Sequence, residues 1–332
     1  MKWLGIITAG LAVTVIVLLL RSCGCISPLG KPTVQKALPL EKYTYANLKQ
    51  TRFSGSPITI DKVIRNGDGY RSRLFYFRVD GKKVSGLINL PDQSGDRPII
   101  VMVRGYVDPK IYQTGVGTQH GGEYLAQNGF ITLAPDFLGY GESDAPNVGA
   151  LEERFLTYTT VLQLLASVQN LNAGLEAAGL PARVDASKIG LWGHSNGGQI
   201  VLSVLEISGK PYPTVLWAPV SKPFPYSILY YTDDVDDHGK ALRKLVADFE
   251  KNYNAENYSL TNYLGWIRAP IQLHQGETDP SVPLAWSNDL YHNLQQKQVK
   301  VEYFTYPGED HNFSQGSWPL VMQRTADFFT NL

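Results

Sequence analysis

Ser195, Asp279 and His311 are three side chains of this 332-residue chain whose types and order suit the cleavage of an ester or amide. Ser195 lies in Gly193-His194-Ser195-Asn196-Gly197-Gly198, a Gly-x-Ser-x-Gly pattern. An apolar run, Ile189 to Trp192, precedes it, and a helix-like stretch, Gln199 to Glu206, follows. Strand, sharp turn and helix together make a nucleophile elbow, in which glycines are needed where a Cβ would strike the strand or the helix start. A serine hydroxyl is a weak nucleophile until a base takes its proton, so the elbow has meaning only with partners. Both follow it in the chain.

Ile271 to Gly276 reads as a buried strand, and the loop after it carries Asp279. A second strand, Val299 to Tyr306, runs into Pro307-Gly308-Glu309-Asp310-His311-Asn312-Phe313. Asp279 is expected to orient the imidazole and His311 to act as general base, the serine, acid and histidine order of the α/β-hydrolase fold. Glu277 and Asp310 compete for the role of acid. Glu277 falls too close to the strand end and Asp310 too close to the base, which favours Asp279. His194, whose turn points it away from Ser195, and His274, inside an apolar strand, are expected to be packing residues.

Acyl transfer also needs donors for the developing oxyanion. The backbone amide of Asn196 supplies one. The apolar strand Pro98 to Val103 ends in Arg104-Gly105-Tyr106, which places the Tyr106 amide to supply the other.

These segments resemble the catalytic domain of the prolyl oligopeptidase family of serine peptidases, and the dienelactone-hydrolase-like esterases share the same frame. The motifs that carry the likeness are Gly193 to Gly198, Ile267 to Asp279 and Tyr306 to His311, with Asp136-Phe137-Leu138-Gly139-Tyr140-Gly141-Glu142-Ser143 similar to the loop after the fourth strand. The likeness runs from about Tyr70 to the C-terminus. It implies nucleophile, acid and base for Ser195, Asp279 and His311, and oxyanion donors at Asn196 and the Arg104 to Tyr106 loop. Two departures stand out: the chain has no room for the β-propeller of the larger peptidases, and Arg104 replaces the usual histidine before the oxyanion glycine.

Composition fits one large core, at 43% hydrophobic residues, and 30 basic residues balance 30 acidic ones. That balance gives no reason to expect a nucleic-acid partner. Six scattered histidines, with Cys23 and Cys25 as the only cysteines, form no metal-ligand pattern, so no metal or other cofactor is expected. The expected partners are a small peptide or ester substrate and a membrane. Trp3 to Leu20 is uncharged and long enough to span a bilayer, which predicts an N-terminal anchor over residues 1–21 with the catalytic domain outside the cytoplasm. Residues 22–58 read as a tether rich in Pro, Lys, Thr and Gln.

The catalytic domain is expected over 59–332, as a mostly parallel sheet with an N-terminal antiparallel hairpin and helices on both faces. The hairpin is Tyr70 to Val79 and Lys83 to Leu90 around Asp80-Gly81. Strands and helices then alternate, with one long helix from Leu151 to Leu175. A tyrosine-rich, cap-like insertion at 219–264 could line the substrate pocket or simply pack, and its acidic run, Asp233 to Asp237, reads as a solvated loop.

Overall fold

Asp80 and Gly81 both take positive φ, 48° and 82°. Two such residues in succession make the tight turn whose twist matches paired strands, and Asp-Gly is among the sequences that tolerate it. The turn joins β2 (Tyr70–Val79) to β3 (Lys82–Pro91), with Val79 opposite Lys82. The computed structural model describes residues 37–233 and 236–332.

The sheet continues through β4 (Gly95–Val103), β5 (Ile131–Pro135), β6 (Ala182–His194), β7 (Thr214–Trp217), β8 (Ile271–Gly276) and β9 (Val301–Tyr306). An edge strand that the sequence did not announce, β1 (Thr59–Asn66), pairs antiparallel with β2. Its outward residues are mostly exposed and its register slips twice, which blurs the alternation that marks a strand. The order is β1-β2-β3-β5-β4-β6-β7-β8-β9, antiparallel through β3 and β5 and parallel from β5 to β9. A mostly parallel sheet with antiparallel strands at its N-terminal side and helices around it is the α/β-hydrolase architecture. Every residue of β5, β7 and β8 is buried, as strands covered on both faces must be.

Helices α1 (Tyr45–Gln50), α2 (Gln119–Gln127), α3 (Ala150–Ser167), α4 (Leu171–Ala177), α5 (Asn196–Ser208), α6 (Tyr226–Leu229), α7 (Lys240–Glu250), α8 (Leu284–Gln296) and α9 (Trp318–Phe329) complete the frame. The expected helix from Leu151 to Leu175 is two helices, α3 and α4, joined by a 3-10 turn at Val168–Asn170. At the break the Ser167 hydroxyl bonds back to Gln163 O at 2.7 Å and accepts from Ser56 N at 2.9 Å. The chain at Gly55 to Ile58 crosses there, so close that a Cβ on Gly174 would stand 2.1 Å from Ile58 O.

That crossing corrects the tether. From Leu40 onward the chain belongs to the compact unit ending at Leu332, and Tyr43, Tyr45, Leu48 and Ile58 are buried in its core. The Tyr45 hydroxyl meets Ser203 Oγ at 2.6 Å. Two aromatic anchors outweigh the polar composition around them, since each buries a large apolar surface. The apolar stretch 3–20 and the two cysteines lie outside the described residues, and among the described residues no helix is long and apolar enough to cross a membrane.

Much of the 219–264 insertion is packing: Phe224, Phe249, Tyr258, Leu260 and Leu264 join the core around Phe155. Its acidic run serves α7 where it is described. Asp237 accepts from the amides of Gly239 and Ala241 at 2.8 Å each, and Asp233 pairs with Arg243 at 3.0 Å.

Candidate active site

Ser195 connects β6 to α5 with φ 56° and ψ −122°, a conformation that costs a non-glycine residue on the order of 1–3 kcal/mol and persists only where its surroundings impose it. The neighbours here do so. Ser195 N donates to Trp217 O at 2.9 Å, while its carbonyl accepts from Gly198 N and Val220 N at 3.0 Å each. A Cβ on Gly197 would fall 2.0 Å from Val103 O, and one on Gly193 would fall 2.8 Å from Gly197 O. Glycine is required at both positions because strand and helix backbones touch there, and that contact presses the serine outward.

Asp279 and His311 meet. Asp279 Oδ2 accepts from His311 Nδ1 at 2.7 Å and from Gln275 Nε2 at 3.1 Å, while Oδ1 accepts from the amides of Ser281 at 2.8 Å and Val282 at 2.9 Å. Burial by itself would raise the Asp279 pKa, but the His311 hydrogen bond and charge and the two amides outweigh it and hold the carboxyl below its usual range. Donation from Nδ1 fixes the tautomer and leaves Nε2 of the neutral ring as an acceptor. The competing acids are otherwise placed: Glu277 is exposed, and Asp310 accepts from the amides of Asn312 at 2.9 Å and Ser314 at 3.0 Å within its own loop. Thr278 N and Oγ1 both donate to Glu309 O at 3.0 Å, which joins the aspartate loop to the histidine loop.

His194 is the link between the serine turn and His311. Its Nε2 lies 3.0 Å from His311 O, and the two rings are 4.5 Å apart. Burial, and then the charge of His311, lowers the His194 pKa to about 3, so the ring is neutral at any working pH. His274 is buried between Tyr306 OH at 2.8 Å and Gln272 Oε1 at 2.9 Å, and burial followed by the charge of Arg324 takes it to about 3 as well.

Two neutral buried histidines make stability depend on pH. Each has a folded pKa below its unfolded value near 6.5, so below pH 6.5 the unfolded chain binds protons that the folded chain refuses. Stability is therefore complete above about pH 6.5 and falls with acidification toward pH 3, by about 1.4 kcal/mol per pH unit for each ring. Urea midpoints measured between pH 7.5 and 4.5 should fall accordingly, and His274→Gln should remove about half of the slope. An unchanged slope in that variant would mean that His274 does not resist protonation.

The Arg104 to Tyr106 loop closes over the serine. A Cβ built on Gly105 would stand 3.0 Å from Ser195 Cβ and 3.6 Å from Ser195 Oγ. Tyr106 is 73% exposed and, with Asn196, lines a cleft of about 230 Å³. Other walls of this cleft are Tyr140, Arg154, Leu156 and Ile200. Arg154 is held by Gln199 Oε1 at 2.7 Å. From the insertion, half-exposed Tyr226, Tyr230 and Tyr231 gather around buried Trp286 at ring distances of 6.1, 4.7 and 6.3 Å. The charges of Asp279 and Arg154 both act on Tyr231. The tyrosines of the insertion thus divide, with Tyr258 in the core and Tyr253 packed against it, while Tyr226, Tyr230 and Tyr231 stay half-exposed around Trp286.

Sequence reading missed Gln275 and, although it noted Arg104 in the loop before Tyr106, did not foresee the partners of Arg104. Gln275 is fully buried, held by Ser287 Oγ at 2.7 Å, and supports Asp279. Its signal was an amide at an interior strand position. Arg104 had the signal of a charge at the end of an apolar strand, but Asp136 and Tyr140, which it also touches, lie more than thirty residues along the chain.

Sheet order, elbow and the aspartate–histidine pair define an α/β-hydrolase-fold serine hydrolase. Residues 118–332 match the prolyl oligopeptidase family, and the chain belongs to it. The chain is 25% identical over 259 residues, 76% of its length, to an uncharacterized peptidase of Bacillus subtilis strain 168, YtmA, of which 90% is covered. An acetyl xylan esterase of Paenibacillus sp. R4 is similar in structure at a TM-score of 0.60 and 16% identity, over 91% of this chain and 96% of that one. A puromycin-hydrolyzing peptidase of Mycobacterium tuberculosis superposes with a TM-score of 0.58 at 20% identity, over 80% of this chain and 40% of that one.

Proposed function

We propose that the chain is a serine peptidase acting on short peptides through an acyl-enzyme on Ser195. The observation that carries the mechanism is the 2.7 Å contact between His311 Nδ1 and buried Asp279, beside a serine held at φ 56°. His311 takes the Ser195 proton through Nε2 as the hydroxyl attacks the carbonyl. Asp279 holds the tautomer and stabilises the imidazolium that forms. The amides of Asn196 and Tyr106 receive the oxyanion, where one donor is worth about 3–4 kcal/mol of barrier. The same imidazolium then protonates the leaving amine, and water repeats the sequence on the acyl-enzyme. Family membership and the description of the Bacillus relative as a peptidase support a peptide substrate.

A carboxylesterase is the second reading, favoured by the near end-to-end match with the Paenibacillus esterase. Amides differ from esters in needing a protonated leaving group, so matched substrates separate the two. Aminoacyl and dipeptidyl 4-nitroanilides, prolyl ones included, should be cleaved at rates within about 100-fold of the 4-nitrophenyl esters of the same acyl groups. Ester turnover with no amide cleavage would establish the esterase.

A further inference from the structure

Arg104 follows β4 and opens the loop whose Gly105 lies against Ser195. Its surroundings are specific. It is only 6% exposed, and its Nη1 and Nη2 donate to Gly105 O at 2.9 Å and to Asp136 O at 3.1 Å. The guanidinium carbon lies 4.1 Å from the Tyr140 ring centroid and 4.4 Å from that of Tyr112. Those rings are tied down in turn: Tyr140 OH donates to Val107 O at 3.1 Å and Tyr112 OH to Asp136 Oδ1 at 2.6 Å. Asp136, wholly buried, also accepts from Ser85 Oγ at 2.6 Å and Thr114 Oγ1 at 2.7 Å.

The consequence for chemistry lies in one peptide plane. The Gly105 carbonyl and the Tyr106 N–H belong to the same trans peptide, so they point in opposite directions. A group that fixes the carbonyl also fixes the N–H. Gly105 is flexible by itself, a Cβ on it would press on Ser195, and Arg104 grips its oxygen from the side of Asp136. We infer that Arg104 is a positioning residue: by holding the Gly105 carbonyl it presents the Tyr106 N–H to the oxyanion formed at Ser195. This rests on the proposed oxyanion role of Tyr106. The planar fork of arginine suits the task because two parallel donors hold two carbonyls of separate loops at once, which an ammonium does less well.

The test uses the full-length enzyme and an activated ester, with kcat, KM and thermal unfolding followed for Arg104→Met, Arg104→Lys, Tyr106→Pro and the double variant Arg104→Met/Tyr106→Pro. Proline removes the N–H in question. Tyr106→Pro should lower kcat about 100- to 1000-fold, the cost of one oxyanion donor. Arg104→Met should lower kcat about 10- to 100-fold with KM nearly unchanged, because the donor is misaimed rather than absent and ground-state binding is untouched. Arg104→Lys should recover part of that loss. In the Tyr106→Pro background, Arg104→Met should cost less than about threefold more, since nothing remains to be aimed. Equal losses in both backgrounds would overturn the inference about Arg104 while leaving the oxyanion role of Tyr106 standing. Unimpaired kcat in Tyr106→Pro would overturn both. Should Tyr106→Pro fail to fold, replacement of the Tyr106 amide by an ester through the corresponding hydroxy acid removes the same N–H with the side chain kept, and the same comparison decides.

Discussion

Ser195→Ala should abolish covalent labelling by a fluorophosphonate and lower turnover by about 10^4-fold or more, with thermal unfolding close to that of the parent. The size follows from covalent catalysis. Without the hydroxyl there is no acyl-enzyme, and only the oxyanion donors and binding remain to assist a direct attack by water. The fold should survive because the backbone strain at Ser195 is held by amide and carbonyl bonds to Trp217, Gly198 and Val220, none of which involves the side chain. Alanine keeps the same Cβ. Labelling that persisted in this variant would place the nucleophile elsewhere.

Asp279→Asn should cost about 10^4-fold in kcat with little change in KM, because an amide nitrogen facing His311 Nδ1 reverses the tautomer and leaves no acceptor for the serine proton. His311→Ala should cost as much. The pH dependence distinguishes the base from its neighbour 4.5 Å away. A base must be neutral to take a proton, so kcat/KM should fall on acidification through the loss of one group. Asp279 cannot be that group, since its carboxyl is held below the usual range and stays ionised until well after an imidazole would be charged. Nor can His194, which is already neutral at all pH values above about 3. His194→Ala should therefore keep the acid limb and lose stability and several-fold in rate, whereas His311→Ala should lose the limb along with the activity. Profiles of kcat/KM against pH for the two variants decide it, and the reverse result would reassign the base.

What the amino-acid sequence determined by itself was whatever depends on near neighbours. The Asp80-Gly81 turn, the strand and helix alternation from β4 onward, the elbow and the loops carrying Asp279 and His311 were all legible, because turn conformation and hydrophobic period are set within a few residues. Tertiary structure decided the rest. Tyr43 and Tyr45 sit in a polar-looking stretch, and distant partners such as Phe155, Tyr158, Ser203 and Tyr263 make them core residues. The break at Val168–Asn170 arises from the crossing of Gly55 to Ile58, more than a hundred positions earlier in the chain. Asp279 prevailed over Glu277 and Asp310 through which carboxylate reaches His311, a matter of loop geometry and not of composition. Arg104 read only as a departure from the usual histidine in the oxyanion loop, and its partners Asp136, Tyr112 and Tyr140 came from the fold. Sequence fixes residue types and local backbone preference, while the function of a buried polar group depends on partners that only the folded sheet assembles.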